Sequence, residues 1–162
     1  MVLSEFIYGG MDGIITTVAI IGASIGAQLE NRYIAILGGS NLLADGFSMG
    51  ISRYNSLIED GKQMSNSVFL NRPFYSGIYT FVSFVIMGML PLIPFIFYSK
   101  SQYLFQYFIL ASLISFILVG HVKSINTKKQ SYFKTLIITI VTGSMGALIS
   151  YYVASKLKSM IM

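Results

Sequence analysis

Five runs of about 20 apolar residues, joined by short polar connections, constrain this chain more than any other feature. A helix of that length crosses the ~30 Å hydrocarbon core of a bilayer, because each helical residue adds about 1.5 Å. Such runs recur too often for a soluble core. The pattern predicts an all-α integral membrane protein with five transmembrane helices. Its single transmembrane domain, residues 1–162, has helices at about 6–27, 33–56, 74–98, 103–120 and 133–155.

The composition supports this prediction and excludes other classes of protein. Hydrophobic residues make up 54% of the chain and charged residues only 10%, against about 25% charged residues in an ordinary soluble domain. The net charge of +5 comes from Lys and Arg residues that lie between the apolar runs, where they orient a membrane protein. We therefore expect a lipid bilayer, and no nucleic acid, as the partner of this charge.

The distribution of Lys and Arg predicts how the helices are oriented. Five spans place the N-terminus on the same side as the second and fourth connections. Counted with the helix ends, this side carries seven cations, Arg53, Lys62, Arg72, Lys123, Lys128, Lys129 and Lys134, and the opposite side carries four, Arg32, Lys100, Lys156 and Lys158. Because positive residues concentrate on the cytoplasmic side, we predict a cytoplasmic N-terminus in a multi-pass protein of a plasma, inner or organelle membrane.

Two aspartates lie inside the first two apolar spans. Asp12 is in the first span, Asp45 is in the second, and Met49 follows Asp45 by one helical turn. A carboxylate near the bilayer centre costs about 2.5 to 3.5 kcal/mol even on lenient insertion scales, so it usually marks an ion or substrate path. These three residues therefore indicate a transporter.

Further polar residues lie at helical spacing from the two aspartates, so they share the same helix faces. A membrane helix turns such a polar face toward protein or water. Because the helices run in opposite directions, we expect Asp12 and Met49 at similar depth, roughly 9 to 11 Å below one surface, with Asp45 one turn deeper. The predicted support residues of this path are Asn41, Thr16 and Ser48. The alternative is a structural cluster, in which hydroxyls or Asn41 hold the aspartates.

The side chains of Asp12, Asp45 and Met49 suit one class of metal ion. Carboxylate oxygen and thioether sulfur favour ferrous iron over magnesium or calcium, which prefer oxygen alone. Three ligands are too few for a permanent cofactor, as expected for an ion that must also leave. A carboxylate within the membrane can exchange the metal for a proton. By itself, however, Met49 is better explained by core packing than by a ligand role, and core packing is also the role that we assign to Met11.

No pattern typical of an enzyme accompanies these residues. The sequence has no cysteine, and it contains no nucleophile triad, phosphate-binding loop or HExxH motif. We therefore do not expect an enzyme.

Glycines form two small-xxx-small pairs in the first helix, Gly9 with Gly13 and Gly22 with Gly26. Such pairs let two helices approach closely within lipid. Ordinary helix packing without a pore explains the glycines when they are considered alone. Together with Asp12, they predict where two subunits touch.

Two prolines, Pro91 and Pro94, lie within the third span. Each removes a backbone donor, so we expect a bend near the end of this helix that faces away from the cytoplasm. A plain kink is the first interpretation, and a transport hinge is the second.

Three sequence motifs resemble those of the vacuolar iron transporter family. The first helix, 9-GGMDGIITTVAIIGASIGA-27, contains G-x-x-D-G followed by a hydrophobic residue and a threonine. The second, 41-NLLADGFSMGISRY-54, is similar to N-L-x-A-D-x-x-S-M followed by a tyrosine. The third, 80-TFVSFVIMGMLPLIPF-95, resembles T-F-x-S-F-x-x-G-x-x-P-L-x-P. Together with a less specific match in the last span, the resemblance covers nearly the whole chain.

The resemblance implies a fold, an assembly and an activity. The fold has five helices, and the assembly is a homodimer with the path between its subunits. The activity is the export of ferrous iron or manganese from the cytosol in exchange for protons. By motif position, Asp12 and Met49 line the path, with Asp45 and Asn41 nearby.

The chain departs from the family pattern at two places. The connection between the second and third helices is short. Many family members insert a cytosolic helical domain there, and its clustered glutamates collect metal. This chain lacks the insertion, as do some nodulin-like members. In addition, Ser52-Arg53 replaces the usual Gly-Glu, which puts a positive charge near the cytoplasmic mouth. These departures motivate a second hypothesis, a non-transporting membrane scaffold or regulatory subunit with the same fold.

Overall fold

The computed structural model describes residues 2–61, 71–126 and 132–161. These residues form five helices: α1 (Val2–Gly26), α2 (Asn31–Gly61), α3 (Asn71–Phe97), α4 (Leu104–Asn126) and α5 (Tyr132–Ile161). Each of them is long and apolar enough to cross a membrane. The predicted all-α architecture with five spans is therefore confirmed for the described part of the chain.

The helices extend beyond the apolar spans from which they were predicted. α2 continues past residue 56 to Gly61, and α4 continues past residue 120 to Asn126. The difference arises because helical hydrogen bonding continues into the polar residues that follow an apolar run, and these residues can be solvated by headgroups and water. Of the cations counted for orientation, Lys62, Lys128 and Lys129 lie outside the described residues.

α1 is the central helix of the bundle. It packs most extensively along α3 and α5, and it also contacts α2 and α4. Its fully buried residues Ile14 and Ile21 join a core that includes Leu92 of α3 and Val119 of α4. Because lipid tails are as apolar as these side chains, close packing and polar contacts, rather than the hydrophobic effect, stabilise the association of such helices.

The four glycines of α1 make that close packing possible. Gly9 and Gly13 lie against backbone carbonyls of α3, while Gly22 and Gly26 lie against backbone carbonyls of α5. A methyl group at Gly22 would be 2.7 Å from the carbonyl oxygen of Ala147, and the other three positions leave less room. The prediction that these glycines form a dimer contact is therefore wrong, because α3 and α5 of the same subunit already cover them.

The connection between α1 and α2 sets the register of the two helices. α1 ends in a Schellman motif, in which the N–H of Leu29 donates to the carbonyl of Ser24 and the N–H of Gln28 donates to the carbonyl of Ile25, both at 2.9 Å. Gln28 adopts the left-handed conformation of this motif, with φ 58°. The chain then reverses within four residues, so α1 and α2 are antiparallel neighbours.

The two prolines do not end α3. The helix continues through Pro91 and Pro94 to Phe97, and both prolines are buried. Their role as a hinge stays a prediction.

Candidate functional site

The two membrane aspartates face each other across α1 and α2. Asp12 lies fourteen residues before the end of α1, and Asp45 lies fourteen residues after the start of α2. The antiparallel register therefore places them at similar depth, near the middle of both helices. Both side chains are half-buried, and their carboxylates are close enough for the two charges to interact. This register differs from the expectation that Asp12 is level with Met49, because at the turn between the helices α1 ends one residue earlier, and α2 begins two residues earlier, than the apolar spans used for that estimate.

Met49 and the support residues lie around this pair of aspartates. Met49 is half-buried on α2, one turn beyond Asp45 toward the end of the bundle where α1 begins. Asn41 is half-buried one turn from Asp45 on the other side, and Thr16 is half-buried one turn from Asp12. Ser48 is exposed, so it belongs to the outer face of α2.

Asp12 also lines an open cavity of about 530 Å³ between α1 and α4. The polar part of its lining comes from Ser4, Tyr8, Asp12 and Lys123, with Met11 beside them. The ammonium nitrogen of Lys123 lies 4.0 Å from the sulfur of Met11. The sequence analysis assigned Met11 to packing and Lys123 to the membrane interface. It did not place them in one cavity with Asp12, because the sequence of a single helix does not show which neighbouring helix it faces.

A buried ion pair lies nearer the end of the bundle where α1 begins. Glu5 of α1 is only 1% exposed, and one of its oxygens accepts a hydrogen bond at 2.9 Å from the guanidinium of Arg53 on α2. Ser76 of α3 donates to the same oxygen, and Ser4 donates to the other oxygen at 2.9 Å. The carboxylate therefore connects three helices.

Sequence reasoning missed Glu5, although a signal was present. Glu5 precedes Asp12 by seven residues, which is two helical turns, so both acids lie on one face of α1. The structure also corrects the expectation for Arg53. The positive charge of Arg53 is not unpaired, because the Glu5 carboxylate neutralises it.

One subunit offers few metal ligands. In residues 2–61, 71–126 and 132–161, no group of three or more His, Cys, Asp or Glu side chains could hold a metal ion. The candidate ligands are the aspartate pair and the Met49 thioether, which lies one turn from Asp45 on α2. Such a sparse set fits transient binding better than permanent coordination.

The fold agrees with a match to a known family. The sequence model of the VIT family matches residues 3–68 and 56–155. This chain belongs to the VIT family. The two matched segments meet near the connection between α2 and α3. This is the connection in which, by the resemblance, the chain lacks the insertion of many family members. With five apolar helices and this family membership, the VIT protein is a multi-pass integral membrane protein.

Three relatives of this VIT protein share the name "Vacuolar iron transporter". The "Vacuolar iron transporter" of Plasmodium berghei (strain Anka) is 23% identical over 226 residues, an alignment that covers 97% of this chain and 82% of the relative. That of Plasmodium falciparum (isolate 3D7) is 43% identical over 54 residues, covering 33% and 20%. That of Toxoplasma gondii (strain ATCC 50861 / VEG) is 44% identical over 50 residues, covering 31% and 17%.

Proposed function

We propose that this VIT-family protein transports a divalent metal ion, ferrous iron or manganese, across the membrane. The observation that carries the proposal is the pair of half-buried carboxylates, Asp12 and Asp45, that interact in the middle of two membrane-spanning helices. Two like charges at this depth are unfavourable unless a cation accompanies them, so they indicate a cation path. The three relatives named as iron transporters support the same metal class.

The ligand chemistry supports a transition metal as cargo. Two carboxylates provide oxygen ligands that manganese and ferrous iron accept, and the Met49 thioether adds a softer ligand that calcium and magnesium do not favour. When the metal leaves, a proton on one carboxylate can relieve the repulsion between Asp12 and Asp45. We therefore propose exchange of the metal for protons, without a permanently bound cofactor.

The direction of transport follows from the orientation proposed for the chain. With the N-terminus in the cytosol, the cavity beside Asp12 opens near the cytosolic end of α1, because Ser4 and Tyr8 line it. Metal would enter from the cytosol and leave on the opposite side, which amounts to export.

We further propose a homodimer in which α2 faces the partner subunit. Four small residues recur every fourth position on the exposed side of α2, Ser40, Ala44, Ser48 and Ser52. This spacing allows close approach of another helix within lipid. The path would then run beside the contact between subunits.

Metal flux into liposomes tests the function. Purified protein should carry ferrous iron or manganese down a concentration gradient, and an opposing proton gradient should accelerate the flux. Asp12→Asn should reduce the flux at least tenfold, because a neutral amide is a much weaker ligand than a carboxylate. Asp60→Asn is the matched control, since Asp60 is exposed at the end of α2. Wild-type flux no greater than that of protein-free liposomes, with a stable partner protein bound, would favour the scaffold hypothesis instead.

A further inference from the structure

The Glu5–Arg53 ion pair lies in line with the proposed metal site. Glu5 precedes Asp12 by two helical turns on α1, and Arg53 follows Asp45 by about two turns on α2. Because α1 and α2 are antiparallel, both displacements point toward the same end of the bundle. The line of contact between α1 and α2 is called the seam below. The ion pair therefore joins the two helices across this seam, about 10 Å from the aspartates along the helix axes.

The two members of the pair differ in mobility and accessibility. The Glu5 side chain is 1% exposed and is also held by hydroxyls of Ser4 and Ser76, so its carboxylate is fixed. The Arg53 side chain is 33% exposed, and its long stem lets the guanidinium move into water while its backbone stays in α2. Opening the pair thus requires only the arginine to move.

A cation position remains when Arg53 moves away. The position would keep one carboxylate and two hydroxyl oxygens, from Glu5, Ser4 and Ser76. An uncompensated buried carboxylate is unfavourable, so it attracts a replacement cation. Oxygen ligands of this kind accept a divalent metal ion. The guanidinium therefore occupies a position that a metal ion can take.

We propose that the Glu5–Arg53 pair is a latch on the metal path, in which Arg53 is a tethered cation that an incoming divalent metal ion displaces from Glu5. This inference rests on the proposed transport function. The open cavity that leads to Asp12 has no lining residue from α2. It therefore does not provide the approach to Asp45, which lies on α2 beyond the Glu5–Arg53 pair. The latch makes Arg53 a residue that controls how readily metal reaches Asp45.

The dependence of flux on metal concentration tests the latch. In liposomes that contain the full chain, Arg53→Gln should lower the half-saturating concentration of manganese about tenfold, because the freed Glu5 charge then attracts the metal over about 10 Å. Arg53→Lys, which keeps a cation, should return this concentration toward the wild-type value. Arg32→Gln is the matched control, since Arg32 pairs with Glu30 at 2.8 Å at the opposite end of the seam, and both side chains are exposed. It should leave the concentration unchanged.

A double variant separates the latch from a structural role and covers the case in which Arg53→Gln does not fold. Glu5→Gln with Arg53→Gln replaces the ion pair with a neutral pair that can still form hydrogen bonds. The latch predicts a higher maximal flux per folded protein, whereas a structural pair predicts wild-type flux. An unchanged flux in the double variant, or an unchanged half-saturating concentration in folded Arg53→Gln, would overturn the latch alone. Wild-type flux no greater than that of protein-free liposomes would overturn the proposed transport function and the latch together.

Discussion

α1 meets α3 and α2 in opposite ways. Against α3, Gly9 and Gly13 bring the two backbones into direct contact, and no room remains for a methyl group. Against α2, the contacting residues are carboxylates and an ion pair, and all of these side chains except Glu5 are only partly buried. α1 therefore packs rigidly on one side and presents polar and charged side chains on another.

The α1–α3 contact should be the less tolerant of substitution. In Gly13→Ala, the added methyl group would collide with the backbone carbonyl of Phe84, which cannot rotate away. We expect a loss of about 3 kcal/mol in the free energy of unfolding, measured by thermal or denaturant unfolding in detergent. Gly39→Ala on α2 is the control, since its methyl group would have Leu92 as its nearest neighbour at 3.9 Å. Equal stability of the two variants would contradict this difference.

The ion pair at the α1–α2 seam should have the next largest effect on stability. Glu5→Gln leaves the partly buried Arg53 guanidinium without a charged partner, so we expect a loss of about 2 kcal/mol after allowance for the exposure of Arg53. Glu30→Gln removes an exposed pair and should change stability by less than about 0.5 kcal/mol. Unfolding of the two variants under identical conditions measures the difference, and similar losses would show that burial does not distinguish the pairs.

The aspartates should affect stability in the opposite direction. Asp45→Asn removes one of two interacting charges from a half-buried site, so we expect the protein to gain about 1 kcal/mol of stability while its metal flux falls at least tenfold. A gain in stability with a loss of function is typical of a site that keeps an unfavourable arrangement for its activity. A loss of stability in this variant would instead identify Asp45 as part of a structural polar cluster.

Met49 should influence the choice of metal rather than stability. Met49→Leu keeps the volume and apolarity of the side chain, so stability should change by less than about 1.5 kcal/mol. Loss of the sulfur ligand should lower the ratio of ferrous iron flux to calcium flux a few-fold. Met87→Leu is the control, because Met87 is 4% exposed and lies in the apolar core. The same ratio in both variants would assign Met49 to packing.

Much of the fold and part of the candidate site could be predicted from the sequence. The five helices follow from the lengths of apolar runs, which are local properties. The selection of Asp12 and Asp45 follows from the free energy of placing a carboxylate within lipid, and the structure brings the two together. Their depth relative to Met49 was estimated less well, because an apolar run does not show how far a helix continues into the headgroup region.

The partners of the small and charged residues could not be predicted. A small-xxx-small pair indicates that another helix comes close, but not which helix, so the glycines of α1 were assigned to a second subunit rather than to α3 and α5. Glu5 and Arg53 are separated by 48 positions in the chain, and no periodicity within either helix connects them. Their pairing depends on how three helices are arranged around Ser76.

A five-helix membrane protein of the VIT family with two carboxylates in its membrane-spanning segments could thus be predicted from the order of residues, because hydropathy, helical period and motif spacing are properties of the linear chain. The tightly packed side of α1, the common depth of the two aspartates and the neutralisation of Arg53 by Glu5 became evident from the arrangement of the helices. Those properties depend on distances between helices. The packing of backbones and the compensation of buried charge set these distances in three dimensions.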